Sequence, residues 1–420
     1  MRFDTVIIGG GLAGLICGIK LCQQNKKCAI VSAGQSAIHF SSGSFDLLNN
    51  LPDGTAVQQP IEEIDKLVTL NNLHPYSKLG KELFANLTQE AETFLRELGI
   101  PLLGSTQKNH YRISPLGEVK STWLSVNPFA TTKESKKLPW EKVAIFNMSG
   151  FLDFYPEFIA SALLKLGTKS KITEFTLESL DRLRRNPSEL RSSNITNVMD
   201  RLNDKEFNEL VHILKEGSKD AEAILFPAIL SLDNDQIIQD LEEKVGKPIF
   251  LLPTLPPSVI GIKIQQFLHE AYTCLGGVYM LGDNIVKGDI KNNKLEKVYS
   301  FNHGDIPFHA NNFVLATGSY FSQGLVASRD KIYEPIFNLD VNHIDHREEW
   351  YDNNVFNAQP YMSFGIKTNN DFQGQIKGQS LDNLYIIGAG LEAFNAIKEG
   401  CGAGVSILTA LHVANTILRK

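Results

Sequence analysis

No stretch of the 420-residue chain offers about 18 consecutive apolar residues, the least that spans a bilayer as a helix. Membrane attachment would therefore need a partner or a surface helix. The opening Met1–Ile8 has no basic segment leading into a long apolar run, so no secretory leader is expected. Cysteine is scarce: Cys17, Cys22, Cys28, Cys274 and Cys401, an odd number with no C-x-x-C pair. That pattern excludes a disulfide framework and fits a reducing compartment. Iron–sulfur ligation needs several converging thiolates, and Cys17 and Cys22, five apart on one expected helix, do not share a face. Concentrated basic charge is missing too. The formal net charge is -6, and the densest basic run, Asp181–Arg185, reads as a solvated helix face. Nucleic acid is not an expected partner, because phosphate binding needs a basic surface. His343 and His346, beside Asp345 and Glu348 on a segment read as exposed, make a poor metal site, and none is expected elsewhere. No Ser/His/Asp or Cys/His arrangement stands out.

What remains is a globular composition, 43% apolar and 21% charged, at a length suited to two domains. Residues 4–8 form a short apolar strand, three glycines follow, a helical pattern runs from Ala13 to Gln24, and Cys28–Val31 reads as a second buried strand. This is the opening βαβ unit of a doubly wound sheet. An amphipathic helix is expected over Lys81–Leu98 and another over Ile260–Leu275. Residues 151–245, charged and helix-rich, read as an insertion rather than as sheet, closed by the proline-rich Leu252–Pro257. Short strands with turn signals then suggest a β-meander. Buried strands follow at 312–316 and 384–387, and a last helix at about Gly404–Leu418. The expected class is α/β: a Rossmann-like, doubly wound domain built from both termini (1–100 and 258–420), with an inserted helix-rich cap domain (101–257).

Gly9-x-Gly11-x-x-Gly14 follows a strand and opens a helix. Gly9 permits the tight turn, Gly11 lets backbone approach a phosphate, and Gly14 lets the helix pack closely on the strand. The helix N-terminus supplies free N–H groups to the anion. Dinucleotide sites usually place an acid at the end of the second strand for the adenosine ribose. Here that position is Ser32, and Val31–Ala37 contains no Asp or Glu. The next segment, Gly34–Ser44, is small and polar, so Ser41, Ser42 and Gly43 are candidates for flavin contact. His39 is a candidate proton carrier or covalent tether, or an ordinary loop histidine.

Near the other end, a strand stops at Gly388, and Gly400-x-Gly402-x-Gly404 precedes the final helix. Clustered glycines imply close backbone approach. A helix N-terminus aimed at a flavin pyrimidine stabilises the negative charge of the reduced ring. Gly388, Gly402 and Gly404 are therefore candidates, with Gly318, where the strand ending in Ala316 would pass the cofactor. Asn395, Lys398 and Glu399 are candidates for a substrate cavity or for solvated loop. No general base is named.

These segments, in this order, resemble the flavoprotein family of fumarate reductase and succinate dehydrogenase flavoprotein subunits. More closely, over essentially the full length, they resemble the B subunits of anaerobic glycerol-3-phosphate dehydrogenase. The matching stretches are Phe3–Leu15, Gly34–Ala37, His39–Ser44, Gly150–Pro156 and Gly400–Val405. The resemblance implies a cytoplasmic heterodimer with a catalytic A subunit, held peripherally at the inner membrane by an iron–sulfur C subunit. It implies oxidation of sn-glycerol 3-phosphate to dihydroxyacetone phosphate, with electrons passed to the menaquinone pool. It also implies FMN, and Ser32 agrees, since FMN has no adenosine ribose; FAD is the alternative. Three functions stay open: an electron-passing subunit, a structural partner that has kept a flavin fold, and a self-contained flavin dehydrogenase or oxidase.

Overall fold

The computed structural model describes residues 1–183, 190–230 and 236–420. Arg184 and Arg185 of the expected basic helix face lie outside them.

The main sheet has a parallel core drawn from both ends of the chain. Arg2–Ile8 is central. Cys28–Ser32 pairs with it on one side, and Phe308–Leu315 on the other. Val278–Leu281 extends the sheet beyond Cys28–Ser32, and Gln379–Ile386 pairs with the carboxyl half of Phe308–Leu315. The amino half of that strand instead pairs antiparallel with Lys294–Ser300, which hairpins with Ile285–Lys291. The expected meander is thus only partly one, since its first strand joins the parallel core. Strands buried on both faces read as continuous apolar runs, and all five residues of Cys28–Ser32 are buried.

The helix Leu12–Cys22 is buried at nine of its eleven positions. It packs against the closing helix Gly402–Arg419 and against Val259–Cys274. Helical cover on nearly all sides explains its apolar sequence. Tyr272, from the latter helix, is fully buried and lies against Gly18. Among the described residues no helix is long and apolar enough to cross a membrane.

Residues 151–245 do not form the sheet-free insertion expected; they belong to a unit of residues 142–252 that contains sheet. That unit carries a second, parallel four-stranded sheet, in the order Lys169–Phe175, Lys142–Met148, Ala223–Pro227, Ile249–Leu252, with helices between the strands. Lys142–Met148 and Ala223–Pro227 are almost wholly buried in its middle. Asp153, from the Gly150–Pro156 stretch, ties this unit together. Its carboxylate accepts from the Arg191 guanidinium at 2.6 Å and from the Ser192 N–H at 2.9 Å. Between the two sheets, Ser44–Phe45 pairs with Leu124–Val126, which pairs with Leu102–Gly104. A further small sheet joins His110–Ile113 to Val119–Thr122 and Thr131–Thr132. Strands from 102–132 are thereby locked onto the segment that follows the second strand of the core.

Candidate functional site

All five parallel strands of the core end on one side. In open α/β sheets ligands bind outside the carboxyl ends of the strands. Here those ends (Ile8–Gly9, Val31–Ser32, Asp283, Ala316–Gly318 and Ile387) line one cavity of about 1030 Å³. Single drug-sized ligands occupy roughly 300–1,000 Å³, so this is a large site. By strand order, Ser32–Ser36 and Asp283–Val286 lie to one side of the glycine turn and Ala316–Gly318 to the other; the wall also takes in Ser41, Ser42, Ser44, Phe45, Asp46, Arg112 and Gly402–Ala403.

The glycine turn separates by role. Gly9, at φ +114°, lies against the Ala316 carbonyl, which a Cβ would overlap. A Cβ on Gly14 would overlap the Gly9 carbonyl. Both glycines serve close packing of strand, turn and helix. Gly11 differs: a Cβ there would meet nothing nearer than the Ser36 Cβ at 3.7 Å. The protein does not need Gly11 to be bare; the open face belongs to the cavity. Beside it, Leu12 and Ala13 open the helix, line the cavity, and have N–H groups without a partner among the described residues. Orphan donors at a helix start suit an anion.

The closing helix repeats the pattern. Gly402 and Ala403 begin it, line the cavity, and have N–H groups without a partner among the described residues. Gly404 is set one layer back. Its N–H donates to the Asp46 carbonyl at 2.9 Å, and a Cβ would overlap the Tyr76 hydroxyl. Two free N–H pairs, at two helix starts facing one cavity, are the donor set that a phosphorylated flavin requires.

Of the other expected residues, Ser32, Ser41, Ser42 and Gly318 line the cavity. Ser32 turns its hydroxyl to the Gly34 carbonyl at 3.0 Å. The serine segment is pinned to the start of Val259–Cys274: the Ser258 N–H donates to the His39 carbonyl at 2.9 Å, and the Ser258 hydroxyl to the Ser41 carbonyl. Gly43, Gly388 and Gly14 are not on the wall. Gly43 packs under the Phe129 ring, and Gly388 against Ala13. His39 is off the wall as well, between Ile38 and Phe40, which are on it; burial holds its pKa down.

Asn395, Lys398 and Glu399 do not line the cavity. The Asn395 side chain accepts from the Ile397 and Lys398 N–H groups. Glu399 faces the buried His74, with Nε2 to Oε2 3.2 Å. These two and Cys401 have donor atoms within 4.8 Å of one another. The ring chemistry argues against a metal there. His74 Nδ1 accepts from the Tyr76 N–H at 3.0 Å, so the proton of the neutral ring sits on Nε2, the nitrogen that a metal would need.

Three wall residues had no local signal. Asp46 follows the serine segment, and burial pushes its carboxyl up despite the Arg112 charge beside it. Arg112 comes from the strand His110–Ile113 and is the only Lys or Arg on the wall among the described residues. Asp283 stands next to Ser32, whose carbonyl accepts from the Asp283 N–H at 3.2 Å. Burial raises the Asp283 pKa, but bonds from Ser300, the Asn302 N–H and His303 outweigh it and hold the carboxyl below its ordinary value.

The family of the FAD binding domain matches residues 4–405. The B subunit of anaerobic glycerol-3-phosphate dehydrogenase from Yersinia pseudotuberculosis is 46% identical, over 100% of this chain and 99% of its own length. That from Pectobacterium atrosepticum is 45% identical over the same shares. Among solved structures, the 3-ketosteroid-Δ4-(5α)-dehydrogenase of Rhodococcus jostii covers 100% of this chain and 97% of its own, at 8% identity and a TM-score of 0.42. A cavity at the strand ends, two helix starts with free donors and full-length identity of this order converge on one assignment: the chain belongs to the FAD-binding-domain flavoproteins and, within them, to the family of anaerobic glycerol-3-phosphate dehydrogenase B subunits.

Proposed function

We propose that this chain is an electron-passing flavoprotein subunit that takes part in oxidising sn-glycerol 3-phosphate to dihydroxyacetone phosphate, with electrons passed to the menaquinone pool, and that its cofactor is FAD. The observation that carries the cofactor reading is the cavity's extent on both sides of the glycine turn. FMN, the expectation drawn from Ser32, would use only the stretch from the turn to Gly402. The wall at Val31–Gln35 and Asp283–Val286 would then face no ligand. An adenosine half fits there, with carbonyls, Ser32 and the corner at Asp283 in place of a carboxylate on the second strand.

Bound in this cavity, a flavin supplies two-electron oxidation of a substrate carbon and one-electron delivery onward. The chain's own residues bind and orient. Gly11 leaves room at the turn, and the Leu12 and Ala13 N–H groups face the phosphates. Gly402 and Ala403 direct two N–H groups and a helix dipole toward the ring end, where electron density gathers on reduction. Ser41 and Ser42 complete that end. Residues 101–257 are taken as the cap, resting on the cofactor domain through the pairing at Ser44–Phe45. The name of the relatives supports membership of a complex. Within it, a catalytic A subunit and a membrane-held iron–sulfur C subunit are the partners proposed, with the chain itself in the cytoplasm and peripheral at the inner membrane.

The test is anaerobic addition of sn-glycerol 3-phosphate to the flavin-loaded chain, alone and with its A subunit. Bleaching of the flavin band only with the A subunit present is the expected result. Bleaching in the isolated chain would make it self-contained. A chain that purifies without flavin would be a structural partner, and the proposal would fall.

A further inference from the structure

We propose that Arg112 is the anion ligand of a substrate subsite inside the same cavity, and that the anion it takes is the phosphate monoester of a small polyol phosphate. This rests on the functional reading above and goes further, because it gives this subunit a substrate-binding residue of its own.

The observation is an unsatisfied buried cation. The Arg112 side chain is 13% exposed. A guanidinium carries five N–H donors, yet Arg112 donates no hydrogen bond to any described residue, and its Nε is sealed from solvent without a partner. Its nearest charge is Asp46, at 3.9 Å from Nη2 to Oδ2, an ion pair too long for a hydrogen bond. Asp46 is itself short of partners, since its Oδ1 is buried and unbonded. Burying a charge costs several kcal/mol unless hydrogen bonds repay it. A cation left with free donors and facing a cavity is completed by what enters the cavity.

The position selects the kind of ligand. Asp46, the charge nearest Arg112, stands beside the closing helix, its carbonyl accepting from the Gly404 N–H at 2.9 Å, whereas the glycine turn's own N–H groups serve the cofactor phosphates. The other acid of the wall, Asp283, is occupied by the Asn284 and Asn302 N–H groups at 2.9 Å and by His303 at 2.9 Å. Among the described residues of the wall, only Arg112 offers a positive side chain to a mobile anion. A guanidinium fork grips a phosphate through two parallel bonds. The Asp46 carboxyl, which lines the cavity, suits a hydroxyl donor on the same molecule. A phosphate at one end and hydroxyls at the other describe a polyol phosphate.

The test uses the full chain with its flavin and its A subunit. Initial rates of flavin reduction are followed against sn-glycerol 3-phosphate for the wild type, Arg112→Lys and Arg112→Met. Losing charge-assisted bonds to phosphate should raise the half-saturating concentration of Arg112→Met about ten- to a hundredfold. Arg112→Lys should fall between, and flavin content should match the wild type in both. Unchanged half-saturation in Arg112→Met overturns the proposal. So does loss of flavin, which would make Arg112 a cofactor ligand, or a shifted flavin potential with unshifted saturation. If wild-type flavin is not reduced at all, the functional reading fails separately. The subsite is then tested with inorganic phosphate as probe: a flavin difference spectrum seen in the wild type and lost in Arg112→Met supports it, and no difference spectrum in the wild type overturns it.

Discussion

Gly11 and Gly14 lie three residues apart in one motif, and their substitution should produce opposite defects. At Gly14 a Cβ would overlap the carbonyl of Gly9, so Gly14→Ala forces helix and turn apart. Overpacking of this kind costs about 1–3 kcal/mol. At about 2–4 °C per kcal/mol for domains of 150–250 residues, that is a drop of several degrees. At Gly11 the backbone has φ -81° and ψ -171°, which any residue adopts, and the nearest atom to a Cβ is 3.7 Å away. Gly11→Val should change stability by less than about 1 kcal/mol, the small cost of losing glycine at an N-cap. Its branches would stand where phosphate must meet the Leu12 and Ala13 N–H groups. Losing two charge-assisted bonds of about 1.5–3 kcal/mol each lowers flavin affinity by two to four decades. The assay is the flavin-to-protein absorbance ratio after purification, with melting of flavin-stripped protein for all three forms. Stripping is needed because bound ligand raises the melting temperature by mass action. Gly11→Val retaining a full complement of flavin would refute the reasoning. So would Gly14→Ala melting with the wild type.

Lys78 is buried and bonds Glu392 at 2.9 Å and the Thr368 hydroxyl at 2.9 Å, so Lys78→Met leaves a buried carboxylate unpaired. About 3–5 kcal/mol of stability should go, and a denaturation midpoint equal to the wild type would contradict this. The depressed Asp283 carboxyl contributes stability that is present above the ordinary aspartate value of about 3.9 and is lost as pH falls through the lower folded value. The stability gap between wild type and Asp283→Asn should thus be flat near neutrality and shrink below about pH 4, as read by urea denaturation across pH; a gap independent of pH would argue against the Asp283 network.

The parallel core was legible in the sequence because its strands are buried on both faces. Residues 4–8, 28–31, 312–316 and 384–387 are short apolar runs bounded by glycine or polar turns, and the observed strands contain or closely match them. The second sheet was not. Ala223–Pro227 and Ile249–Leu252 are brief apolar runs between charged helices, where periodicity cannot separate strand from helix. Lys169–Phe175 is a half-exposed edge strand whose lysines read as solvated surface. The glycine clusters pointed to the site, but sequence does not distinguish a glycine bared for a ligand from one bared for packing. Gly402 and Gly404 look alike in the chain, and it takes Tyr76 and Leu47, far away along it, to make Gly404 a packing position. Arg112 and Asp46 meet through the pairing of small sheets distant in sequence, so neither carried a local signal. Ser32 was read for what it lacks, while the wall opposite it, from Asp283 to Val286, comes from the other end of the chain.

The central claim is a phosphorylated flavin spanning the whole cavity, and the mass of the flavin released by heating the purified chain tests it most directly. The account predicts the mass of FAD at close to one per chain, since the wall continues past the glycine turn to Asp283–Val286. The mass of FMN at that yield would contradict it, and would leave that end of the cavity without a ligand.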